Sequence, residues 1–380
     1  MPPPGRKEKM KSLVLAAALF AMMATTSNAG DWWENVKVKG DLRYRHEMID
    51  QEGKDVRHRQ RVRARLMVLG KVSSTTQVGI QLATGSDDPV STNQTLDGAF
   101  ATKTIGLDLA YLEFTPENVA GLSITAGKFK NPFFLPGSSE LIWDSDWNPE
   151  GGVAAFSHSR DNLSFTATAA GLWVDESSGA DSWIGALQGV GRVHFNEKKS
   201  SVAVGASYYG YTNSKGHAPF YEADDSKGNS VTVVVDSSGS EPVESLEYAN
   251  EYKLMELFGE VTHKFDDMPV TVMGDFVTNT DADSLNAGWL VGLKIGSAKK
   301  PGSWAFRYNY RNIEKDAVVG AFTDSDFRGG GTDAKGHEVG GSLVVAQNTW
   351  FNVSYFVNTI GLDAAESDFN RLQVDLQLKF

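Results

Sequence analysis

The chain has 380 residues, no cysteine, 41% hydrophobic side chains and a net charge of −12. This composition excludes a disulfide framework and a thiolate metal site, and so acidic a chain is a poor partner for nucleic acid. After the N-terminus no run approaches the ~18 apolar residues of a membrane helix, which does not exclude a barrel, whose strands are apolar on one face only.

The first 29 residues read as a secretory signal peptide. Lys7, Lys9 and Lys11 form a basic start, residues 13–24 form an apolar segment too short to span a bilayer, and Ser27-Asn28-Ala29 supplies a small-x-small cleavage site. Removing residues 1–29 leaves 30–380 as a single expected domain. Without the leader's four bases and one acid, that domain carries 32 bases and 47 acids, a net charge of −15.

From Val36 onward the hydrophobic pattern has period two. Val36, Val38, Leu42 and Tyr44 alternate with Lys37, Lys39, Asp41, Arg43 and Arg45, and at the far end Leu372, Val374, Leu376, Leu378 and Phe380 alternate with Arg371, Gln373, Asp375, Gln377 and Lys379. Alternation puts one row of side chains on each face of a strand. It predicts about sixteen strands, at 36–49, 57–72, 75–84, 104–115, 121–129, 152–159, 162–174, 182–196, 199–213, 250–265, 269–280, 286–297, 302–314, 336–347, 350–360 and 368–380.

Every second connection is short, such as 73–74, 159–161, 196–199, 266–267 and 347–349; those between are usually longer, at 84–103, 130–151, 214–249 and 315–335. Short periplasmic turns, longer external loops and both termini on the short-turn side describe a bacterial outer-membrane barrel. Aromatic residues gather near strand ends. Trp33, Phe195, Phe265, Trp304, Trp350 and Phe380 lie on the short-turn side; Tyr44, Trp173, Trp183, Tyr208, Tyr211 and Trp289 lie towards the long loops. Two girdles at the water–lipid boundaries would account for both sets. The expected fold is thus all-β: a transmembrane, antiparallel, up-and-down barrel of about sixteen strands in the bacterial outer membrane.

The segment Ala126-Gly127-Lys128-Phe129-Lys130-Asn131-Pro132-Phe133, followed by Leu141-Ile142-Trp143-Asp144-Ser145-Asp146 and Pro149-Glu150-Gly151, resembles the bacterial "putative porin" family of outer-membrane proteins. The strand Ala110-Tyr111-Leu112-Glu113-Phe114 and the terminal Phe380 fit it as well. The resemblance covers essentially the whole mature chain. It implies a sixteen-stranded general diffusion porin, a homotrimer, assembled by a barrel-assembly machinery that reads Phe380 as its signal, with outer-membrane lipid, small hydrophilic solutes and ions as its other partners.

Two constellations carry the expected function. Arg43, Arg45, Arg59, Arg61, Arg63 and Arg65 occupy the polar faces of the first two strands, and Arg307, Arg311 and Arg371 join them once the last strand closes beside the first. On a lipid face such charges cost several kcal/mol each, so they are expected to line the pore and raise local anion concentration. A bracing role, each arginine paired to a carboxylate, is the alternative. The third external loop, 130–151, carries Glu140, Asp144, Asp146 and Glu150; the resemblance suggests that it folds inward, which would set these acids against the arginine wall. Asp144-x-Asp146-x-Asn148 imitates the start of a calcium loop, but Pro149 stands where a tight-turn glycine is needed, so no metal site is expected. The longest loop, 214–249, is expected to be external, mobile and acidic, with a small hairpin at 231–235. No H-E-x-x-H, G-x-S-x-G or phosphate-binding glycine loop occurs; neither a catalytic residue nor a cofactor is expected. A substrate-specific anion channel for phosphate or an acidic sugar is the rival reading on the same barrel, ahead of an outer-membrane lipase or a plugged adhesive barrel.

Overall fold

The structure, a computed structural model, describes residues 32–177, 179–237 and 242–380; the expected leader, 1–29, and the side chain of Trp33 lie outside what is described. The chain divides into a unit Met1–Lys37, in which a 3-10 turn at Trp32–Asn35 is described, and a unit Val38–Phe380, which carries the barrel.

Sixteen long strands form the wall: β1 (Val36–Gln51), β2 (Arg57–Lys71), β3 (Thr76–Thr84), β4 (Ile105–Phe114), β5 (Leu122–Lys128), β6 (Glu150–Arg160), β7 (Leu163–Asp175), β8 (Ser182–Phe195), β9 (Ser200–Tyr211), β10 (Lys253–Phe265), β11 (Met268–Asn279), β12 (Ala287–Gly296), β13 (Trp304–Ile313), β14 (Ala334–Ala346), β15 (Thr349–Ile360) and β16 (Ser367–Lys379). Each pairs antiparallel with its chain neighbours, and β16 returns to β1 with Asp41 opposite Lys379 and Gln51 opposite Phe369. Closure gives the wall no first or last strand with a free edge, which hydrocarbon requires because it offers backbone groups no hydrogen bonds.

The two faces differ as the alternation demands. Along β10, Met255, Leu257 and Val261 are exposed while Leu254, Glu256 and Phe258 are buried; on β9, exposed Val204 and Tyr208 flank buried Ser207 and Tyr209. An outer face of exposed aliphatic side chains is unfavourable against water and favourable against lipid tails. Phe195, Phe265, Trp304 and Phe380 are exposed at one rim, and Tyr44, Trp173, Trp183 and Trp289 at the other. Tyr211 departs from the expected girdle. Three residues beyond outward Tyr208, it falls on the inner face, and it is buried against Phe220 and Tyr252.

The tight turns at 161–162, 266–267 and 347–348 place Asp161, Asp266 and Asn348 at φ of 55°, 54° and 55°, a left-handed conformation that Asp and Asn adopt more readily than other side chains. At the other rim the long loops are L2 (85–104), L3 (129–149), L5 (212–252) and L7 (314–333). A two-residue strand in L2, Gln94–Thr95, pairs with Arg61 and Val62 of β2.

A hydrophobic cluster joins these loops to inward-facing strand residues. L3 contributes Phe133, Leu141, Trp143 and Trp147, L7 contributes Val318, Val319 and Phe322, and the wall contributes Leu172, Tyr209, Leu254 and Leu290. The Trp143 and Trp147 rings stack at 4.0 Å, and each buried tryptophan removes roughly 150–250 Å² from water. L5 is more firmly held than a free external loop. Its expected hairpin forms, Val231–Asp236 against Val243–Tyr248, but the stretch before it is tied to L7. Asn229 Nδ2 donates to the carbonyls of Lys315 (2.7 Å) and Val318 (2.8 Å), its Oδ1 accepts from Gly320 N (2.8 Å), and Phe220 stacks on Phe322.

Candidate pore-lining site

Parity decides which charges share the barrel interior. Asp41, Arg43, Arg45 and Glu47 fall on the inner face of β1, and Arg59, Arg61, Arg63 and Arg65 on that of β2. Register adds the rest: Arg45 lies opposite Asp375, and Glu47 opposite Gln373, across the closing β1–β16 pair. On β13, Arg307 and Arg311 face Gly340 and Gly336 of β14. At Gly340 a Cβ would come within 2.7 Å of Arg307 Nε, so the glycine makes room for that guanidinium.

All nine arginines lie within 4 Å of a carboxylate. Asp41 accepts from Arg63 (3.0 Å) and Arg65 (2.7 Å). Asp375 accepts a two-pronged contact from Arg45 (2.7 and 2.9 Å) and lies 3.8 Å from Arg43. Glu47, fully buried, serves three arginines: Arg59 and Arg371 at hydrogen-bond range and Arg61 at 3.8 Å. Glu338 holds Arg307 and Arg311, the latter at 2.8 Å.

The loops supply the remaining acids, though not the four expected. Asp146 of L3 reaches the wall, 3.3 Å from Arg63 and 3.1 Å from Arg65. Asp144 instead accepts backbone N–H groups, from Asp146 (2.7 Å) and from Ser325 of L7 (2.8 Å). The Glu140 side chain caps Ser145 N (2.7 Å), and only its backbone carbonyl meets Arg311. Glu150 is outside the loop altogether: it opens β6, is exposed, and pairs with Lys128 at 2.9 Å. Elsewhere L3 bonds to inward residues of β8, β10 and β11, through Phe134 N to Gln188, Gly137 N to Glu260 and Ser139 Oγ to Asp275.

L7 supplies two acids that sequence reasoning missed. Asp324 meets Arg311 at 2.8 Å, and Asp326 meets Arg45 (3.2 Å) and Arg371 (2.9 Å). L3 and L7 use one local design. Asp144-Ser145-Asp146-Trp147 and Asp324-Ser325-Asp326-Phe327 each form a turn in which the first aspartate accepts the second's N–H, at 2.7 and 2.8 Å. The second aspartate then projects onto two wall arginines while the aromatic residue is buried. Aspartate suits this turn because its short carboxylate reaches its own backbone two residues on. The recurrence of Asp-Ser-Asp-aromatic in two long loops was the available signal.

Environment separates these loop carboxylates. Burial opposes ionisation at Asp146 and Asp326, but the adjacent guanidiniums prevail and hold both below the usual carboxylate range. Where L3 meets L7 there is less compensation. Burial, then the charge of Asp324, pushes Glu140 up to about 8, and burial with Glu140 nearby raises Asp144. A carboxyl with a raised folded pKa stabilises the fold below its ordinary pKa and loses that contribution as pH rises through the folded value. The L3–L7 contact should therefore loosen as pH climbs from about 4.5 through about 8. Open-channel current noise in planar bilayers is expected to rise over that range and to rise less in Glu140→Gln, which keeps the Ser145 cap; identical noise profiles would contradict it.

The comparisons with known proteins agree with this architecture. The family described as "Putative porin" matches residues 49–380. The chain belongs to that porin family. Among solved structures, OprB of Pseudomonas putida in its high-pH form shares 10% identity and a TM-score of 0.56, over 91% of this chain and 94% of that one. Salmonella typhi OmpF, in complex with daunomycin, gives 12% and 0.55 over 91% and 97%. A loop L8 deletion mutant of OmpT, an outer-membrane protein of Vibrio cholerae, gives 11% and 0.51 over 91% and 100%. At such identities the likeness is one of fold. No curated protein matches the sequence. Family and barrel together make this porin an outer-membrane channel protein and not an enzyme.

Proposed function

We propose that this porin is a water-filled channel for passive diffusion of small hydrophilic solutes and ions. L3 folds inward, and the acidic turns of L3 and L7 pack onto the arginine wall, so that the aqueous path narrows beside this ion-paired belt. One observation carries the reading: nine inward arginines face seven carboxylates, of which Asp146, Asp324 and Asp326 come from loops. An ordered belt of charged groups along an aqueous path makes a local field that orients dipolar solutes and selects ions by sign. The density of arginine on β1 and β2 also supports a second reading, a substrate-specific anion channel for phosphate or an acidic sugar. The mature form begins after residue 29 and works as a homotrimer, with Phe380, exposed at the end of the last strand, serving as the signal for the barrel-assembly machinery. Planar-bilayer recording of the purified protein tests the proposal. Ohmic conductance that grows linearly with KCl is expected; conductance that saturates with a particular anion favours the second reading, and none at all means a plugged barrel.

A further inference from the structure

We infer that the mouth of this channel holds a docking station for a small oxyanion, a carboxylate or phosphate group, centred on Arg57 and Arg328. The inference deepens the channel reading by giving the pore a solute class, and it rests on that reading for its role in transport. The station is a cavity of about 460 Å³ bordered by the start of β2 and by L2, L5 and L7. Its lining holds seven basic side chains and three acidic ones, and Glu47, Asp225 and Asp326 pair with bases of that lining from outside it.

Most of those bases are occupied. Lys227 is bonded to Glu222 and to Asp225, and Arg59, Arg61 and Arg371 share Glu47, with Arg371 also paired to Asp326. Lys54 and two arginines remain. Among the described residues the Arg57 side chain, which is exposed, makes no hydrogen bond or ion pair. Arg328 meets no carboxylate: its Nη1 donates to the carbonyls of Gly330 (3.1 Å) and Lys227 (3.4 Å), and its Nε is buried without a partner.

The backbone at Arg328 adds an independent observation. It sits at φ +52°, ψ 5°, inside a 3-10 turn, and is followed by Gly329, Gly330 and Gly331 at φ of 85°, 101° and 101°. A left-handed arginine is a conformation the surrounding structure must impose, and such residues gather at ligand sites. A brace between L5 and L7 would account for the two carbonyl bonds of Nη1, but not for Nη2, which is not buried and bonds to nothing among the described residues. The planar fork of arginine matches the two oxygens of a carboxylate or phosphate. Tyr221 and Val90 line the same space and offer an apolar surface to an organic body behind the charged group.

Isothermal titration of the detergent-folded protein with sodium benzoate and with inorganic phosphate, at low ionic strength, tests the station without needing conduction. Saturable binding is expected, weakened about tenfold in Arg57→Gln and in Arg328→Gln, with Arg328→Lys recovering part of the loss because it keeps the charge but not the fork. Binding of phosphate alone identifies an inorganic oxyanion; stronger binding of benzoate identifies an organic carboxylate that uses the Tyr221 side. No saturable heat in the wild type, or unchanged affinity in Arg57→Gln, an exposed substitution that leaves the fold intact, overturns the station. Binding retained by a protein that passes no current would sink the channel reading and leave the station standing.

Discussion

Replacing Glu47 by Gln should lower the stability of this barrel by roughly 3 kcal/mol or more and make the pore more anion-selective. Glu47 is fully buried and is the shared counter-charge of Arg59, Arg61 and Arg371, with Gln373 also donating to it. Removing one partner of a buried ionic cluster costs more than the cluster contributes, because the remaining charges stay in place uncompensated. Asp326 can still hold Arg371, but among their ion pairs Arg59 and Arg61 have no other carboxylate. Glutamine keeps the shape and one acceptor oxygen, so the change isolates the charge. Urea unfolding in lipid vesicles measures the first effect and zero-current potential the second. A variant within about 0.5 kcal/mol of the wild type, the size of an ordinary surface substitution, would mean that pore water solvates these arginines and that Glu47 organises nothing.

The wall was legible because its physics is local. Period-two alternation is imposed wherever one face meets lipid and the other meets water or packed interior, so each of the sixteen expected strands recurs in place, the least regular patterns, those of β3, β4 and β6, ending within two residues of their expected bounds and β10 starting three residues later than expected, at Lys253. Tyr211 was misplaced for want of that rule: it was assigned by nearness to a strand end, whereas counting from Tyr208 puts it inside. The positions of the arginines could be read from parity, but their partners could not. Arg45 finds Asp375 across a closing register between opposite ends of the chain, and Arg371 finds Asp326 in a loop whose path depends on burying Phe322 and Phe327. An inward fold of the third loop, which the family resemblance implies, would set Glu140 and Asp144 against the wall, yet backbone N–H groups claim their carboxylates. In a long loop, the choice between serving its own backbone and serving the wall is made by packing, and packing leaves no periodic trace.

Changing Arg61, Arg63 and Arg65 together to Ala should move the zero-current potential of this porin towards cations, with the chloride-to-potassium permeability ratio falling about fivefold or more. Losing even one unpaired unit charge a few ångströms from the permeation path is worth on the order of 1 kcal/mol at the effective dielectric of a wet protein surface, and here the balance changes by three. The charges left behind strengthen the effect. Asp41 and Asp146 form ion pairs only with Arg63 and Arg65 among the described residues, so both become uncompensated anions facing each other from wall and loop. The pH dependence separates filter from brace. Burial works against ionisation of Asp146 and the arginines hold it charged; without them its pKa rises, and the new cation preference should fade in mild acid, where wild-type selectivity stays constant. A correctly folded triple variant, judged by heat-dependent gel mobility, with an unshifted potential would show that these arginines brace the wall by pairing with Asp41 and Asp146 and that ions pass elsewhere in the barrel.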